Sequence, residues 1–280
     1  MVVPTFRPQA ESLLGLLADI AAPDLAVVLS DDASPATYDR LLRAVADSGT
    51  PVIRHRRNAG IARGLNDGLN LALSQGFTWL LTLDQDTRIS REVINELVDA
   101  SQASDRVGVV GVEIIGDTNG DVSYPSKGRG AVVTTEEVFQ TASLWRVSAL
   151  TEIGGFDERL GIDGVDAAAC LRLREHGYLV TLAPGTRAEH RYGSATHLRL
   201  LGRTIVSTGH SPIRRESMVR NRLRLAPAEF RQSPQHALRT LRRVAVNTLL
   251  GVTLEQDRRA NLMGSLRGIY GLIHFRSRSG

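Results

Sequence analysis

Two carboxylates two residues apart are the first feature of this sequence that could do chemistry. Asp84 and Asp86 follow an apolar run over residues 77–81 that is typical of a buried strand. Like charges this close raise the cost of ionising one another, so a divalent cation is expected beside them, or else an ordinary loop with a helix cap. Ser90 already supplies a cap for the next helix without either aspartate, and the spacing excludes an EF-hand loop. On this motif alone both interpretations stay open.

Two further polar clusters stand at comparable places along the chain. Asp31 and Asp32 end another apolar run, where an acid accepts hydrogen bonds from a base or ribose or forms an Asx turn. Asn58 and Gly60 precede a helical pattern with Arg63 in its first turn, an arrangement that suits a diphosphate. The spacing matches neither the G-x-G-x-x-G of a dinucleotide site nor a P-loop.

The elements that must position these clusters alternate between strands and helices up to about residue 115. Strands are predicted at residues 2–3, 25–29, 52–53, 79–83 and 107–115, and helices at residues 10–20, 35–47, 61–75 and 91–103. Repeated βα units indicate an α/β fold with a mostly parallel central sheet flanked by helices. Ligands of such sheets bind at the carboxyl ends of the strands, which is where the polar clusters stand.

Beyond residue 115 the pattern changes. Residues 116–135 are rich in Gly, Asp and Ser and are predicted to form a loop that can hold a hairpin. Helices alternate with a Gly-rich turn over residues 148–177, and a strand is predicted at residues 178–182. After about residue 197 only helical patterns remain.

The composition is that of an ordinary globular protein from a reducing compartment. Hydrophobic residues make up 42% of the 280 and charged residues 23%. The single cysteine, Cys170, excludes an internal disulfide and is interpreted as a core residue. Neither a signal peptide nor an apolar run of the roughly 18 residues that span a bilayer is visible. We therefore expect a cytoplasmic protein, soluble or peripheral on the inner face of the cell membrane.

The net charge of +4 is distributed unevenly. Residues 199–280 contain 16 Arg and 4 acids, a net charge of +12, whereas residues 1–198 have a net charge of −8. A basic segment of this kind favours the phosphates of a membrane surface or of nucleic acid, and solvated helix faces are the alternative. An aromatic content of 5% offers little stacking platform for nucleic acid.

Taken in order, the motifs resemble those of family 2 inverting glycosyltransferases, which have the GT-A fold. The matching stretches are P-T-F-R-P from Pro4, S-D-D-A-S from Ser30, N-A-G-I-A-R-G-L-N-D-G from Asn58, L-D-Q-D-T from Leu83, G-G-F-D-E-R-L from Gly154, I-D-G-V-D from Ile162 and C-L-R-L-R-E-H-G-Y from Cys170. The L-D-Q-D and G-F-D-E-R-L-x-I-D-x-x-D forms are most similar to bacterial rhamnosyltransferases. Thr141-Ala142-Ser143 departs from the T-S-G that relatives commonly carry.

The resemblance extends to about residue 225 and implies a GT-A catalytic domain over residues 1–205. Its nucleotide-sugar-binding half would comprise residues 1–115, and its acceptor-binding and catalytic-base half residues 116–205. A basic helical region, residues 206–280, would follow as a C-terminal extension.

The resemblance also implies a donor site, composed of Pro4, Thr5, Asp31, Asp32, Asn58, Arg63, Asp84 and Asp86. The Pro4-Thr5 turn and Asp31 would contact the nucleoside, and Arg63 the diphosphate. Asp86 would bind the Mg²⁺ or Mn²⁺ that bridges the phosphates, while Asp84 would act on the sugar or through water. His190 matches a position that supplies a further metal or phosphate contact.

On the acceptor side, the resemblance implies Asp166 as the general base, since inversion requires a proton acceptor opposite the leaving group. Asp163, one helical turn earlier, is expected to assist it, to replace it as base or to cap the helix. Gly155, Phe156 and Asp157 are assigned to acceptor binding together with Asp163, and Asp157 alternatively to the turn itself.

We therefore expect transfer of L-rhamnose from dTDP-L-rhamnose to a sugar hydroxyl of a bacterial surface polysaccharide or glycolipid precursor. UDP-N-acetylglucosamine, UDP-galactose and UDP-galactofuranose are the alternative donors. A polyprenyl-diphosphate-linked glycan acceptor would suit C-terminal helices that mix Arg with apolar residues and lie on an anionic membrane. The alternative is that these helices pack on the catalytic domain or form a homodimer. A nucleic-acid-binding protein and a sugar-nucleotide pyrophosphorylase are more distant alternatives, and the second lacks its Gly-rich loop after Val3.

Overall fold

In a computed structural model of the protein, the described residues are 1–22, 24–116, 122–123, 132–190, 196–200, 203–207, 209–255 and 257–275. The chain divides into two compact units. The first comprises residues 1–161 and 165–191, and the second residues 162–164 and 192–280. The predicted functional boundaries at residues 115 and 205 stay predictions.

A mixed sheet forms the first unit. Its strands are β1 (Val2–Thr5), β2 (Val28–Asp31), β3 (Val52–Arg54), β4 (Trp79–Thr82), β5 (Thr87–Arg88), β6 (Val107–Gly116), β7 (Val122–Ser123), β8 (Val133–Thr134), β9 (Ser143–Arg146) and β10 (Leu179–His190). The strand order is β3-β2-β1-β4-β9-β6-β10-β5, with β7 beside β6 and β8 beside β10. The neighbouring strands β3, β2, β1 and β4 run parallel to one another, whereas β9 runs antiparallel to both β4 and β6. The predicted parallel sheet is thus present in the N-terminal half, and the other half is mixed.

Helices flank this sheet. They are α1 (Ala10–Asp19), α2 (Asp39–Asp47), α3 (Ile61–Ser74), α4 (Arg91–Ser101), α5 (Val147–Glu152) and α6 (Val165–Glu175), with 3-10 turns at Ala36–Tyr38 and Glu158–Leu160. The Ser90 hydroxyl accepts a hydrogen bond from the Val93 amide and caps α4, as predicted. The helix expected from residue 35 begins as a 3-10 turn, and the strand expected from residue 25 begins only at Val28.

Helix α3 lies close against β1 because two glycines face that strand. A Cβ on Gly68 would come within 3.0 Å of Val2 side-chain carbons, and one on Gly64 would lie 3.1 Å from the Pro4 Cβ. This approach sets the first turn of α3 beside the carboxyl end of β1. The core also encloses Cys170, and burial raises the pKa of its thiol, which confirms it as a core residue.

The second unit contains a hairpin and three helices in its described part. The hairpin joins β11 (Thr196–Leu200) and β12 (Arg203–Ser207), and the helices are α7 (Pro212–Gln232), α8 (Pro234–Thr253) and α9 (Arg258–Phe275). The prediction that only helices follow residue 197 is therefore wrong. The β-branched run Thr204-Ile205-Val206 favours a strand, but it is short and stands among segments with helical patterns.

Helix α9 packs on α7 through glycines. A Cβ on Gly268 would lie 2.7 Å from the Glu216 carbonyl oxygen. The buried Arg215 of α7 donates to the Asn247 carbonyl oxygen at 3.0 Å and to the Glu255 carboxylate, which ties α8 to the same bundle. Among the described residues, no helix is both long enough and apolar enough to cross a membrane. Most of the loop predicted over residues 116–135 lies outside the described residues.

Candidate active site

The carboxyl ends of β1, β2 and β3 place one polar row at the sheet edge. In the strand register Thr5 lies beside Asp31 and Asp31 beside Arg54. Pro4, Thr5 and Asp31 are all buried, and the Asp31 Oδ2 accepts hydrogen bonds from the Arg54 Nε at 3.2 Å and the Ser34 amide at 3.1 Å. The Asp31 Oδ1 is buried without a hydrogen-bond donor. Because such an atom is costly to leave unpaired, it points to a ligand that carries an N–H or O–H group.

Asp32 organises the entry to α3. Its two carboxylate oxygens accept the amides of Ala59 at 2.7 Å and Gly60 at 2.9 Å, and the Asn58 side chain donates to the Asp32 carbonyl at 3.4 Å. Gly60 has a φ of 88°, a conformation that favours glycine. Arg63 is half exposed in the first turn of α3. The Asp32 carboxylate is thus engaged within the protein, and its predicted contact with the donor stays a prediction.

A histidine that sequence reasoning missed stands between two acids behind this loop. The His55 Nδ1 lies 3.1 Å from the Asp32 Oδ1, and its Nε2 lies 2.7 Å from the Asp67 Oδ2. The Ser30 hydroxyl also donates to the Asp67 Oδ2, at 2.8 Å. Burial alone lowers the pKa of His55, but the hydrogen bonds and charges of Asp67 and Asp32 outweigh it, and the pKa is raised above its ordinary value.

One signal for this cluster was present in the sequence. Asp67 recurs with Gly64, Leu65 and Gly68 on the face of α3 that packs on the sheet, and it is buried there. A buried acid on a helix face requires a partner. No spacing rule connects it to His55 on another element, so only the folded chain identifies that partner.

In the D-Q-D segment, the side chain of Gln85 points away from those of Asp84 and Asp86. The Gln85 side chain exchanges hydrogen bonds with the backbone of Phe6, accepting from its amide at 3.0 Å and donating to its carbonyl at 3.3 Å. The Asp84 Oδ1 instead accepts a hydrogen bond from the side-chain amide of the buried Gln140. Asp86 is partly exposed.

His190 meets both aspartates because β5 pairs with β10. That antiparallel pair aligns His190 with Thr87, directly after the aspartates. The His190 Nδ1 lies 3.6 Å from the Asp86 Oδ1, and its Nε2 lies 3.8 Å from the Asp84 Oδ2. Behind them, the Thr141 hydroxyl lies 2.6 Å from that of Thr87 and accepts the Asp84 amide at 3.0 Å.

The three side chains suit a divalent cation. Among the described residues, Asp84, Asp86 and His190 form a group whose potential ligand atoms all lie within 4.8 Å of one another. Ligands about 2.1 Å from an ion lie within about 4.2 Å of each other, so small side-chain movements close the site. Two carboxylates with one imidazole are a donor set for Mg²⁺ or Mn²⁺. The structure therefore brings the predicted metal residues Asp86 and His190 together, with Asp84 beside them.

Asp166 occupies the first turn of α6, and its Oδ1 accepts the Ala167 amide at 2.8 Å. It is partly exposed, as a base must be to reach a substrate. The turn before α6 touches the entry to α3, since a Cβ on Gly60 would lie 2.5 Å from the Gly161 carbonyl oxygen and the Ala62 amide donates to that oxygen at 3.4 Å. This contact brings the predicted donor and base segments to one place.

The turn that carries Gly155 and Phe156 is held by two side chains. Asn66 bonds both backbone groups of Phe156, at 2.8 and 2.9 Å, and Arg172 donates to the Gly155 carbonyl at 2.6 Å. The Phe156 ring is 2% exposed and packs edge-on against Trp145. The side chain of Phe156 is therefore too buried to contact the acceptor substrate. Only the backbone of Phe156 could make the predicted contact.

The other two predicted acceptor residues are engaged in ion pairs. Asp157 caps the following 3-10 turn and binds the Arg159 guanidinium through two 2.8 Å contacts, which supports its assignment to the turn. Asp163 belongs to the second unit, where its Oδ1 accepts from the Arg214 Nε at 3.2 Å and its carbonyl accepts from Asn221 at 2.6 Å. The Asp163 Oδ2 is buried without a donor, and burial raises the pKa of this carboxyl against the opposing effect of Arg214.

The chain is similar to known proteins. The family model described as "Glycosyl transferase family 2" matches residues 1–152. The dTDP-rhamnosyl transferase RfbF of Shigella flexneri is 27% identical over 292 residues, which cover 97% of this chain and 95% of RfbF.

Solved structures show the same fold. TarS residues 1–349 of S. aureus, in complex with UDP, matches with a TM-score of 0.58 and 15% identity, over 91% of this chain and 72% of that 1–349 chain. The mannosyltransferase PcManGT of Pyrobaculum calidifontis, in complex with GDP-Man and Mn²⁺, matches with a TM-score of 0.57 and 16% identity, over 98% of this chain and 81% of that one.

Proposed function

Because the chain belongs to glycosyl transferase family 2, we propose that it transfers L-rhamnose from dTDP-L-rhamnose to a hydroxyl of a lipid-linked glycan, with inversion at the anomeric carbon. The protein is a glycosyltransferase. The observation that carries the donor assignment is the similarity to RfbF along nearly the whole chain. The acceptor class rests on the surface of α8 and α9 described below.

Donor binding begins at Asp31. Its unpaired, buried Oδ1 suits the ring N–H of a pyrimidine base such as thymine. Pro4 and Thr5 at the end of β1 lie beside it, and Arg63 with the N-terminus of α3 supplies positive charge for the diphosphate. Uracil carries the same N–H as thymine, so Asp31 alone does not choose between dTDP and UDP sugars.

Asp84, Asp86 and His190 would hold the Mg²⁺ or Mn²⁺ of the reaction. When bound, such a cation neutralises the charge that develops on the diphosphate leaving group. Gln140 and Thr141 orient Asp84, through its carboxylate and its backbone amide respectively.

Asp166 acts as the general base. It removes the proton of the acceptor hydroxyl while that oxygen forms a bond to the anomeric carbon. The bond from this carbon to the diphosphate breaks, and its electron pair leaves with the diphosphate. Attack opposite the leaving group inverts the configuration. The Ala167 amide in the first turn of α6 donates to the Asp166 Oδ1 and so orients the carboxylate before the transfer.

The exposed sides of α8 and α9 support a lipid-linked acceptor. The two helices together contain six Arg and no Asp or Glu. Large apolar side chains of α9 recur on one helix face and are 43–60% exposed, namely Leu262, Met263, Leu266, Ile269 and Tyr270. Leu238 and Leu249 of α8 are more than 60% exposed. Apolar residues flanked by Arg are the signature of a helix that lies on an anionic lipid surface.

Turnover of a panel of nucleotide sugars tests this proposal. The protein is incubated with Mn²⁺, a glycan acceptor and either dTDP-L-rhamnose or one of the three UDP sugars. The nucleoside diphosphate released in each reaction is measured. We expect release only from dTDP-L-rhamnose, its loss with EDTA, and a decrease of about 10²- to 10⁴-fold in Asp166→Asn. Asp105→Asn, an exposed acid outside the site, is the matched control. Preferred turnover of a UDP sugar would refute dTDP-L-rhamnose as the donor. Full activity of Asp166→Asn would refute Asp166 as the general base.

A further inference from the structure

The two ring nitrogens of His55 each face a carboxylate. Asp32 lies at Nδ1 and Asp67 at Nε2, and the side chains of all three residues are about nine-tenths buried. A neutral imidazole carries one N–H and one lone pair, whereas the imidazolium carries two N–H groups. Only the imidazolium donates to both acids, because a neutral ring would turn a lone pair toward one of them. With both carboxylates ionised, the geometry therefore favours a ring that is protonated at both nitrogens.

Each acid also holds a part of the predicted diphosphate site. The Asp32 carboxylate accepts the amides of Ala59 and Gly60 at the entry to α3. The Asp67 Oδ1 lies 3.4 Å from the Nε of Arg63. His55 thus joins the loop and the arginine through two short contacts.

We propose that His55 is a positioning residue, which as an imidazolium clamps Asp32 to Asp67 and so holds the α3 entry loop and Arg63 in place for the donor diphosphate. This inference rests on the proposed function for its ligand, but the clamp itself belongs to the ligand-free protein. It adds a residue to the donor site that touches no substrate, and it makes donor binding dependent on pH.

The direction of this dependence follows from the groups around the ring. Asp32 and Asp67 face the ring directly, and the Ser30 hydroxyl lies 3.5 Å from its Nε2. The positive charge of Arg63 lies against the other oxygen of Asp67, 3.4 Å from it. The two acids keep the pKa of His55 above its ordinary 6.5. The clamp is therefore complete below pH 6.5 and is lost as the pH rises through the raised pKa of the folded protein.

The ligand-free test uses NMR of the full chain. We expect N–H signals from both ring nitrogens of His55 at about pH 6 and a titration midpoint above its ordinary pKa. His55→Gln should speed hydrogen exchange of the Ala59 and Gly60 amides roughly tenfold, as expected for loss of a charged hydrogen bond. A neutral ring at about pH 6, or unchanged exchange in the variant, would overturn the clamp.

The ligand test measures the dissociation constant of dTDP, with UDP in parallel, against pH. In the wild type we expect affinity to fall as the pH rises through the His55 pKa, whereas His55→Gln should bind about tenfold more weakly at low pH and lack this step. Titration of the diphosphate itself is common to both proteins and cancels in the comparison.

Asp67→Asn is the second variant and keeps the test valid if His55→Gln fails to fold. An Asn amide donates to a neutral Nε2, so the ring no longer needs its second proton and binding should persist at high pH. A step of the same size in all three proteins would overturn the proposal. If neither nucleotide binds the wild type, the proposed function fails, while the NMR result still decides the clamp.

Discussion

At the scale of single residues, the D-x-D segment separates two tasks. Asp84 and Asp86 turn toward His190, while Gln85 anchors the segment to the backbone of Phe6. Gln140 donates to one Asp84 oxygen and leaves the other facing His190. Asp84 thus has one oxygen committed to the protein, whereas Asp86 lies closer to the imidazole. The asymmetry expected between the two acids has a structural basis, although their direct and indirect roles stay a prediction.

The prediction at this scale concerns metal affinity. We expect Asp86→Asn to weaken Mn²⁺ binding in the presence of dTDP at least tenfold, since a neutral amide replaces a charged ligand, and Asp84→Asn to weaken it less. Calorimetric titration measures both. Asp47→Asn, an exposed acid at the end of α2, serves as the control. A larger loss in Asp84→Asn than in Asp86→Asn would reverse the assignment.

At the scale of elements, α3 is the part of the fold that joins the donor residues. Its two glycines allow it to lie on β1, its entry loop is bound by Asp32, and its Asn66 holds the turn at Phe156. Displacement of this helix would therefore disturb several predicted contacts together.

Gly68→Ala tests that role. The added methyl group would come within 3.0 Å of Val2 side-chain carbons, so either the helix or the strand must move. We expect the free energy of unfolding to fall by about 1–3 kcal/mol and dTDP binding to weaken, as measured by urea unfolding and calorimetry. Asn70→Ala, on the exposed face of α3, should change the free energy of unfolding by less than about 0.5 kcal/mol. Equal effects of the two substitutions would contradict the close approach.

At the scale of the whole molecule, charge is segregated along the chain. The basic C-terminal segment includes α8 and α9, which combine Arg with exposed apolar side chains. A homodimer through this surface is the alternative to a membrane, but two copies would bring Arg toward Arg with no acid on either helix. The absence of acids on both helices favours anionic lipid.

Vesicle binding distinguishes these partners. We expect the protein to bind vesicles that contain phosphatidylglycerol, more weakly at higher salt, and Arg258→Gln with Arg259→Gln to reduce binding roughly ten- to thirtyfold. Arg40→Gln with Arg43→Gln, on the exposed face of α2, is the matched control. Equal losses of vesicle binding in the two double variants would refute the proposal that the α9 surface binds the membrane. A dimer in sedimentation that the vesicles do not dissociate would favour the second copy.

Much of the first unit follows from local patterns. Alternating apolar runs and helical periods predicted most of its strands and helices, and the position of Ser90 predicted the N-cap of α4. Both kinds of feature depend on neighbours within a few residues. The order of the motifs also led to the family. Asp86 and His190 were assigned to the metal through that resemblance and Asp84 to the donor, and the pairing of β5 with β10 places the three side chains together.

Other features depend on contacts between distant parts of the chain, and only the tertiary structure decided them. The insertion of β9 between β4 and β6, the burial of Phe156 against Trp145 and the clamp of His55 between Asp32 and Asp67 are of this kind. In the N-terminal half, the sequence by itself determined most of the strands and helices and the acids that follow the strands, because local sterics and periodicity act within one element. Which acid is neutralised by which partner depended on the packing of elements, since the charges meet only when the chain has closed.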